Sequence, residues 1–214
     1  MEQLWYLVIA AAAYLIGSLN GSLLSSRLFW RDDIRRHGSG NAGATNVLRT
    51  HGVKWTAAVS AWDVGKGILA VWVGRWLVPA MRHSPEALED TLRYAALLAG
   101  FFVIAGHVFP LFFKFKGGKG VITACAVFFT LDWQVASLAL GLFMLILIFT
   151  RFLSLGSVCA VFTLPLLGLL FGRGWADIAM YAVTAALVIF LHRENIKRLL
   201  RGTENKFPRN KTAP

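Results

Sequence analysis

Between Leu4 and Leu24 the chain runs for 21 residues without a charge. An α-helix needs about 20 apolar residues to cross a bilayer core of about 30 Å, and inside lipid it satisfies its own backbone polar groups. Further apolar segments follow at 55–77, 94–110, 121–131, 133–150, 155–171 and 175–191. None alternates with the two-residue period of an outer-membrane barrel strand, so helices are the spanning unit. Composition agrees, with 57% hydrophobic residues, 15% charged residues and a mean hydropathy of +0.59. These values exclude a soluble enzyme. The sequence therefore predicts an all-α integral membrane protein with seven transmembrane helices.

Charge sets the expected orientation. The formal net charge of +11 would suggest nucleic acid in a soluble protein. Here the tendency of Lys and Arg to remain cytoplasmic explains it, and no nucleic-acid partner is expected. If 121–150 turns at Asp132 as a hairpin of two short helices, one side of the membrane receives 17 of the 22 basic residues. These are Arg27, Arg31, Arg35, Arg36, Arg49, Lys54, Lys114, Lys116, Lys119, Arg151 and seven between Arg193 and Lys211. The other side holds Glu2, Glu86, Glu89, Asp90, Asp132 and Asp177, against Arg75, Arg82, Arg93 and Arg173. The expectation is a bacterial cytoplasmic (inner) membrane protein with its N-terminus outside and its C-terminus in the cytoplasm. Glu2, with no basic residue before the first apolar run, points to a retained helix rather than a signal peptide. No tandem repeat or linker is visible, so residues 1–214 are expected to form one domain.

The unusual loops all fall on the basic side. The first reads Gly38-Ser39-Gly40-Asn41-Ala42-Gly43-Ala44-Thr45-Asn46 and leads to Arg49. Glycines allow successive backbone amides to close around an anion, with Ser39, Thr45 and Arg49 adding donors, but a flexible turn explains them equally. The Gly38, Gly40, Gly43 spacing matches a dinucleotide fingerprint only formally, since no strand precedes it. The second, from Gly106 to Val121, alternates lysines with aromatics and ends in Gly117-Gly118-Lys119-Gly120. It suits a phosphate site at a helix N-terminus or an interfacial aromatic belt, and it lacks Walker A spacing. The third is His192-Arg193-Glu194-Asn195, where His192 and Asn195 share a face if the last helix continues.

Asp63 and Lys66 interrupt the second span and are able to pair with each other. They also motivate an alternative function, a transporter of a phosphorylated small solute. Acidic residues on the basic face are few, which argues against a carboxylate-held metal, and no metal or cofactor is expected. Cys125 and Cys159 read as small core residues.

Taken together, these blocks resemble the bacterial membrane acyl-phosphate:glycerol-3-phosphate acyltransferases. The resemblance rests on Gly17-Ser18, Gly38 to Arg49, Asp63-Val64-Gly65-Lys66-Gly67, Gly106 to Thr123, and His192 to Lys206 with Asn195, Gly202 and Glu204. One departure is Asn20, where many members carry Pro. The resemblance implies acyl transfer from acyl phosphate to the 1-hydroxyl of sn-glycerol 3-phosphate, the first acylation of phospholipid synthesis. It implies Ser39, Arg49 and Lys119 at phosphate, with His192 and Asn195 at the reacting end. Together with the loop readings, the candidate catalytic residues are His192, Asn195 and Lys119. The candidate substrate-binding residues are Ser39, Gly40, Asn41, Thr45, Arg49, Gly117, Gly118 and Lys119. Membrane lipid and other phospholipid-synthesis enzymes are the further partners considered. No His is followed five residues later by Asp, so the His-x4-Asp motif of acyl-CoA or acyl-carrier-protein dependent enzymes is missing.

Overall fold

A computed structural model describes residues 2–78 and 85–207. Arg82, Arg209 and Lys211, which entered the charge tally, lie outside the described residues, as do the side chains of Glu2 and Glu86. The chain forms two compact units, Met1–Leu131 and Asp132–Pro214.

The first unit contains α1 (Glu2–Ser18), α2 (Gly21–Ser25), α3 (Ala44–Trp76), α4 (Pro85–Val108) and α5 (Val121–Leu131). A π-turn over Ser26–Trp30 extends α2. Helices in lipid gain little from a hydrophobic effect between them and associate through close packing, which favours small residues at their crossings. That is how α1 meets α4: a Cβ on Gly17 would lie 2.2 Å from the Val103 carbonyl oxygen, and one on Gly106 equally close to that of Tyr14. Gly74 brings α3 against Ala95 and Ala99 of α4 in the same way.

The expected first span is broken. α1 stops at Ser18, α2 starts at Gly21, and the two segments bend by 47°. Without a proline, Asn20 makes the break: its extended backbone leaves the helix, and its side chain accepts from the Leu23 amide as an N-cap. The second expected span also differs. Its helix begins in the glycine-rich loop at Ala44, with a kink where Gly52 adopts a φ of 80°, so Thr45 and Arg49 lie on helix rather than loop.

The second unit contains α6 (Trp133–Thr150), α7 (Leu153–Leu170), α8 (Trp175–Leu191) and α9 (Arg193–Leu200). Asp132 ends the continuous helix expected as one alternative for 121–150. Its carboxylate caps the Val135 amide and is held at 2.7 and 2.9 Å by Arg173 and at 3.0 Å by the Tyr181 hydroxyl. One side chain thus starts α6 and ties it to the connection between α7 and α8. Large apolar side chains such as Ile148, Phe149, Leu169 and Leu170 remain exposed, as lipid contact requires.

Among the described residues, Leu88–Phe113, Trp133–Thr150 and Leu153–Leu170 are long and apolar enough to cross a membrane. The number rises to five if each bent pair counts as one span: Leu4–Ser18 with Gly21–Trp30, and Trp175–Leu191 with Arg193–Leu200. α5 has 11 residues. At 1.5 Å per residue that is about 16 Å, half a hydrocarbon core.

Candidate active site

The first glycine-rich loop is built around a side chain that the sequence reading quoted but did not single out. Asn46, 1% exposed, donates from Nδ2 to the carbonyls of Ile34 (3.1 Å) and His37 (3.0 Å) and accepts from the Ser39 amide (2.8 Å). Gly38 lies at φ 58°, with a would-be Cβ only 2.2 Å from Asn46 Oδ1, so a larger residue there would expel the side chain that organises the turn. Beneath the loop, Ala42 and Val47 pack with Leu23, Ile34 and Val59 in an apolar cluster flanked by Trp30, Trp55 and Phe113.

The second loop folds onto the end of α4. The Gly117 amide donates to Val108 O (2.9 Å) and the Gly118 amide to His107 O (3.3 Å). A Cβ on Gly118 would meet His107 Nε2 at 2.4 Å and the Ala42 carbonyl at 2.9 Å, so the two glycine loops are in direct apposition. Asn20, fully buried, fastens them by donating to the carbonyls of Ala42 and His107, both at 3.4 Å. Tyr14 to Phe109 O (2.6 Å) and the Leu111 amide to Ser18 Oγ (3.2 Å) add further ties to α1.

This arrangement corrects one expectation. In one of the two readings given for each loop, the glycines present amides to an anion. In the folded chain the amides of Ser39, Gly40, Gly117 and Gly118 are hydrogen-bonded within the protein, that of Gly40 to His37 O at 3.0 Å. Gly117 and Gly118 are required because the backbones approach so closely.

Asp63, Lys66 and His107 form a buried cluster where α1 breaks. Lys66 Nζ lies 2.8 Å from Asp63 Oδ1 and donates to the carbonyls of Gly17 (3.1 Å) and Leu19 (3.3 Å). Asp63 accepts from the Gly21 amide at 3.3 Å. The cation therefore sits on the carbonyl end of α1 and the anion on the amide end of α2, the polarity that each helix dipole favours. Lys66 Nζ is also 2.9 Å from His107 Nδ1. The same Nδ1 lies 3.4 Å from Asp63 Oδ1 and 3.3 Å from the Thr123 hydroxyl, so His107 closes the cluster. The loop-anchoring reading of the pair accounts for all these contacts.

In the second unit the chain bends by 60° at His192, between α8 and α9, so the continuous helix expected to align His192 and Asn195 is absent. Both side chains are nevertheless buried. His192 Nδ1 lies 2.8 Å from Val188 O. A carbonyl only accepts, so Nδ1 carries a proton, an assignment made from the partner. Asn195 Nδ2 donates to Glu204 Oε1 at 2.7 Å, as does Ser154 Oγ at 2.9 Å, while Arg198 Nε donates to Oε2 at 2.7 Å. Burial raises the pKa of Glu204, but these three hydrogen bonds outweigh it and hold the carboxyl below its ordinary value.

The family model for glycerol-3-phosphate acyltransferases matches residues 7–202. The chain belongs to the glycerol-3-phosphate acyltransferase family. Relatives of that name in Thermoanaerobacter pseudethanolicus (39% identical, covering 95% of this chain and 96% of the relative) and Synechococcus sp. CC9902 (40%, covering 92% and 93%) match nearly end to end. Crystal structures of PlsY, an integral membrane glycerol 3-phosphate acyltransferase, superimpose with TM-scores of 0.83 for its glycerol 3-phosphate form and 0.79 for its lysophosphatidic acid form. They are 34% and 33% identical, and each comparison covers 94% of this chain and 95% of PlsY.

Within this acyltransferase, the first unit brings together the loops bearing Ser39, Gly40, Asn41, Thr45 and Arg49 and those bearing Gly117, Gly118 and Lys119. Ser39, Thr45 and Arg49 are exposed, and Lys119 is half-buried just before α5. His192 and Asn195 stand in the second unit. Asn46, Asn20 and His107 organise the loops. Their sequence signal was slight: two amides and a histidine beside glycines, with partners 9 to 87 residues away.

Proposed function

We propose that the chain transfers a fatty acyl group from acyl phosphate to the 1-hydroxyl of sn-glycerol 3-phosphate, releasing 1-acylglycerol 3-phosphate (lysophosphatidic acid) and inorganic phosphate. The observation that carries this reading is PlsY, 34% identical, with structures described in a glycerol 3-phosphate form and a lysophosphatidic acid form, the acceptor and acylated product of such a reaction. The missing His-x4-Asp motif supports acyl phosphate as donor. In this reading the protein is one acyltransferase domain of seven spans in the bacterial inner membrane, N-terminus out, acting at the cytoplasmic face. Other phospholipid-synthesis enzymes would supply its donor or consume its product.

Acyl phosphate is a mixed anhydride, already activated, so the hydroxyl attacks the acyl carbon directly. The carbon–oxygen bond to phosphate breaks as the ester forms, and positioning supplies most of the rate. Ser39, Asn41, Thr45, Arg49 and Lys119 hold the phosphates, with Arg49 and Lys119 offsetting their repulsion and stabilising the departing phosphate. Gly40, Gly117 and Gly118 shape the two loops. His192 takes the hydroxyl proton, and Asn195, its amide nitrogen tied to Glu204, stands with it at the reacting end.

The test is phosphate release by purified, detergent-solubilised protein given both substrates, beside Lys119→Ala and Ser39→Ala. Release that needs both substrates and drops at least tenfold in each variant supports the reading. Uptake of labelled glycerol 3-phosphate into proteoliposomes without release would overturn it.

A further inference from the structure

A second basic site lies in the first unit, apart from the residues assigned to the reaction. An open groove of about 550 Å³ is bounded by the π-turn after α2, the 3-10 turn at Ile34–Arg36 and the start of the second loop. Five cations line it: Arg27, Arg31, Arg35, Arg36 and Lys114, against Asp32 and Asp33. Both carboxylates are already engaged. Asp33 is held in a forked pair by Arg35 at 2.7 to 3.0 Å, and Asp32 is paired with His37. Arg35 also donates to the carbonyls of Phe113 (3.0 Å) and Lys116 (2.9 Å), which locks the groove's two walls together.

The side chains of Arg27, Arg31 and Lys114, by contrast, make no hydrogen bond or ion pair among the described residues, although all three line one concavity. Cations gathered this closely repel one another unless an anion lies between them. Arg31 and Lys114, at φ values of 51° and 59°, are the left-handed caps that end the π-turn and the 3-10 turn at Leu111–Phe113. Scattered positive-inside charge does not explain their convergence on one concavity.

The groove's rim is apolar. Leu28 and Phe29 are about two-thirds exposed, and Leu111 and Phe112 about half. A free anion has no use for that surface. A molecule with an anionic head and acyl chains matches both parts, with basic residues taking the head and aromatic and aliphatic residues lying along the chains.

We propose that this groove binds the phosphate headgroup of an anionic membrane phospholipid, with Arg27, Arg31 and Lys114 as the headgroup contacts. None of the residues placed in acyl transfer lines the groove, so the site stands whether or not the reaction assigned above is correct.

The probe is a detergent-solubilised protein exchanged into mixed micelles of phosphatidylglycerol and phosphatidylcholine, with retained lipid counted by native mass spectrometry. The variant is Arg27→Gln combined with Arg31→Asn and Lys114→Asn, because Asn tolerates the left-handed backbone at the last two positions. The wild type should retain phosphatidylglycerol over phosphatidylcholine by at least about tenfold, and the variant should lose that preference. Monodispersity and helical circular dichroism establish that the variant is folded, and the single Arg27→Gln variant, at a position without left-handed backbone, should lose part of the preference if the triple variant does not fold. An unchanged preference in a folded variant overturns the proposal. So does displacement of the lipid by millimolar inorganic phosphate, which would make the groove a soluble-anion site.

Discussion

At the residue scale, chemistry is set by which atom each polar group has already committed. His192 spends Nδ1 on Val188 O, so only Nε2 could serve in the proposed role of base. His192→Gln should lower turnover by about 100-fold, measured as kcat for phosphate release. Near-normal turnover would transfer the base role to a phosphate oxygen of the donor. Glu204 is constrained on both oxygens, its side chain 5% exposed, and its carboxyl titrates below the ordinary value. A depressed pKa in the folded state adds stability above the unfolded value, lost as pH falls through the folded one. The thermal midpoint of the wild type should therefore drop between about pH 5 and pH 3 more steeply than that of Glu204→Gln. Parallel curves would show that Glu204 contributes nothing to the pH dependence.

At the element scale, the break between α1 and α2 costs backbone hydrogen bonds inside an apolar unit, and the Asp63–Lys66 pair supplies charged partners to both broken ends. The charges that motivated a transport reading are thus engaged with the carbonyls of Gly17 and Leu19 and the amide of Gly21. Removing one partner leaves the other buried and uncompensated. Lys66→Met should destabilise the detergent-solubilised protein by about 3–5 kcal/mol, measured by denaturant titration. Asp63→Asn combined with Lys66→Met should recover part of that loss. A double variant as unstable as the sum of the two singles would mean that the two charges act independently. The same scale explains the Asn at position 20: it starts α2 as a cap and also bonds two loops, which a proline, lacking donors, does not do.

At the scale of the whole molecule, the seven-span reading makes a strong statement about sidedness. It places the loop at Gly40, the second loop at Lys116 and the tail at Thr203 on one face of the membrane, with Gly172 on the other. Single cysteines at these positions, in a chain with Cys125 and Cys159 replaced by Ala, should react with an impermeant thiol reagent in that pattern. The first three should react from the cytoplasmic side only. A Thr203 site labelled from the same side as Gly172 would remove one span from the second unit and reverse its C-terminus.

Much of this was legible in the chain itself. Apolar runs located the helices, and α5, α6 and α8 have the bounds that the runs predicted, because a segment in lipid has no other way to satisfy its backbone. Turn chemistry located the loops, and the blocks around Ser39, Lys119 and His192 marked the family. What the sequence could not convey was direction. Whether a glycine amide points at an anion or at a neighbouring carbonyl, and whether Asp63 and Lys66 face a solute or a broken helix, depend on partners distant in sequence. Asn46 reaches Ile34, Asn20 reaches His107, and Gly118 rests against Ala42 only after the helices have packed. The sequence by itself determined the membrane character and the helices. Only the tertiary structure decided where each polar group spends its hydrogen bonds, because a buried donor or acceptor takes whichever partner the packing brings within reach.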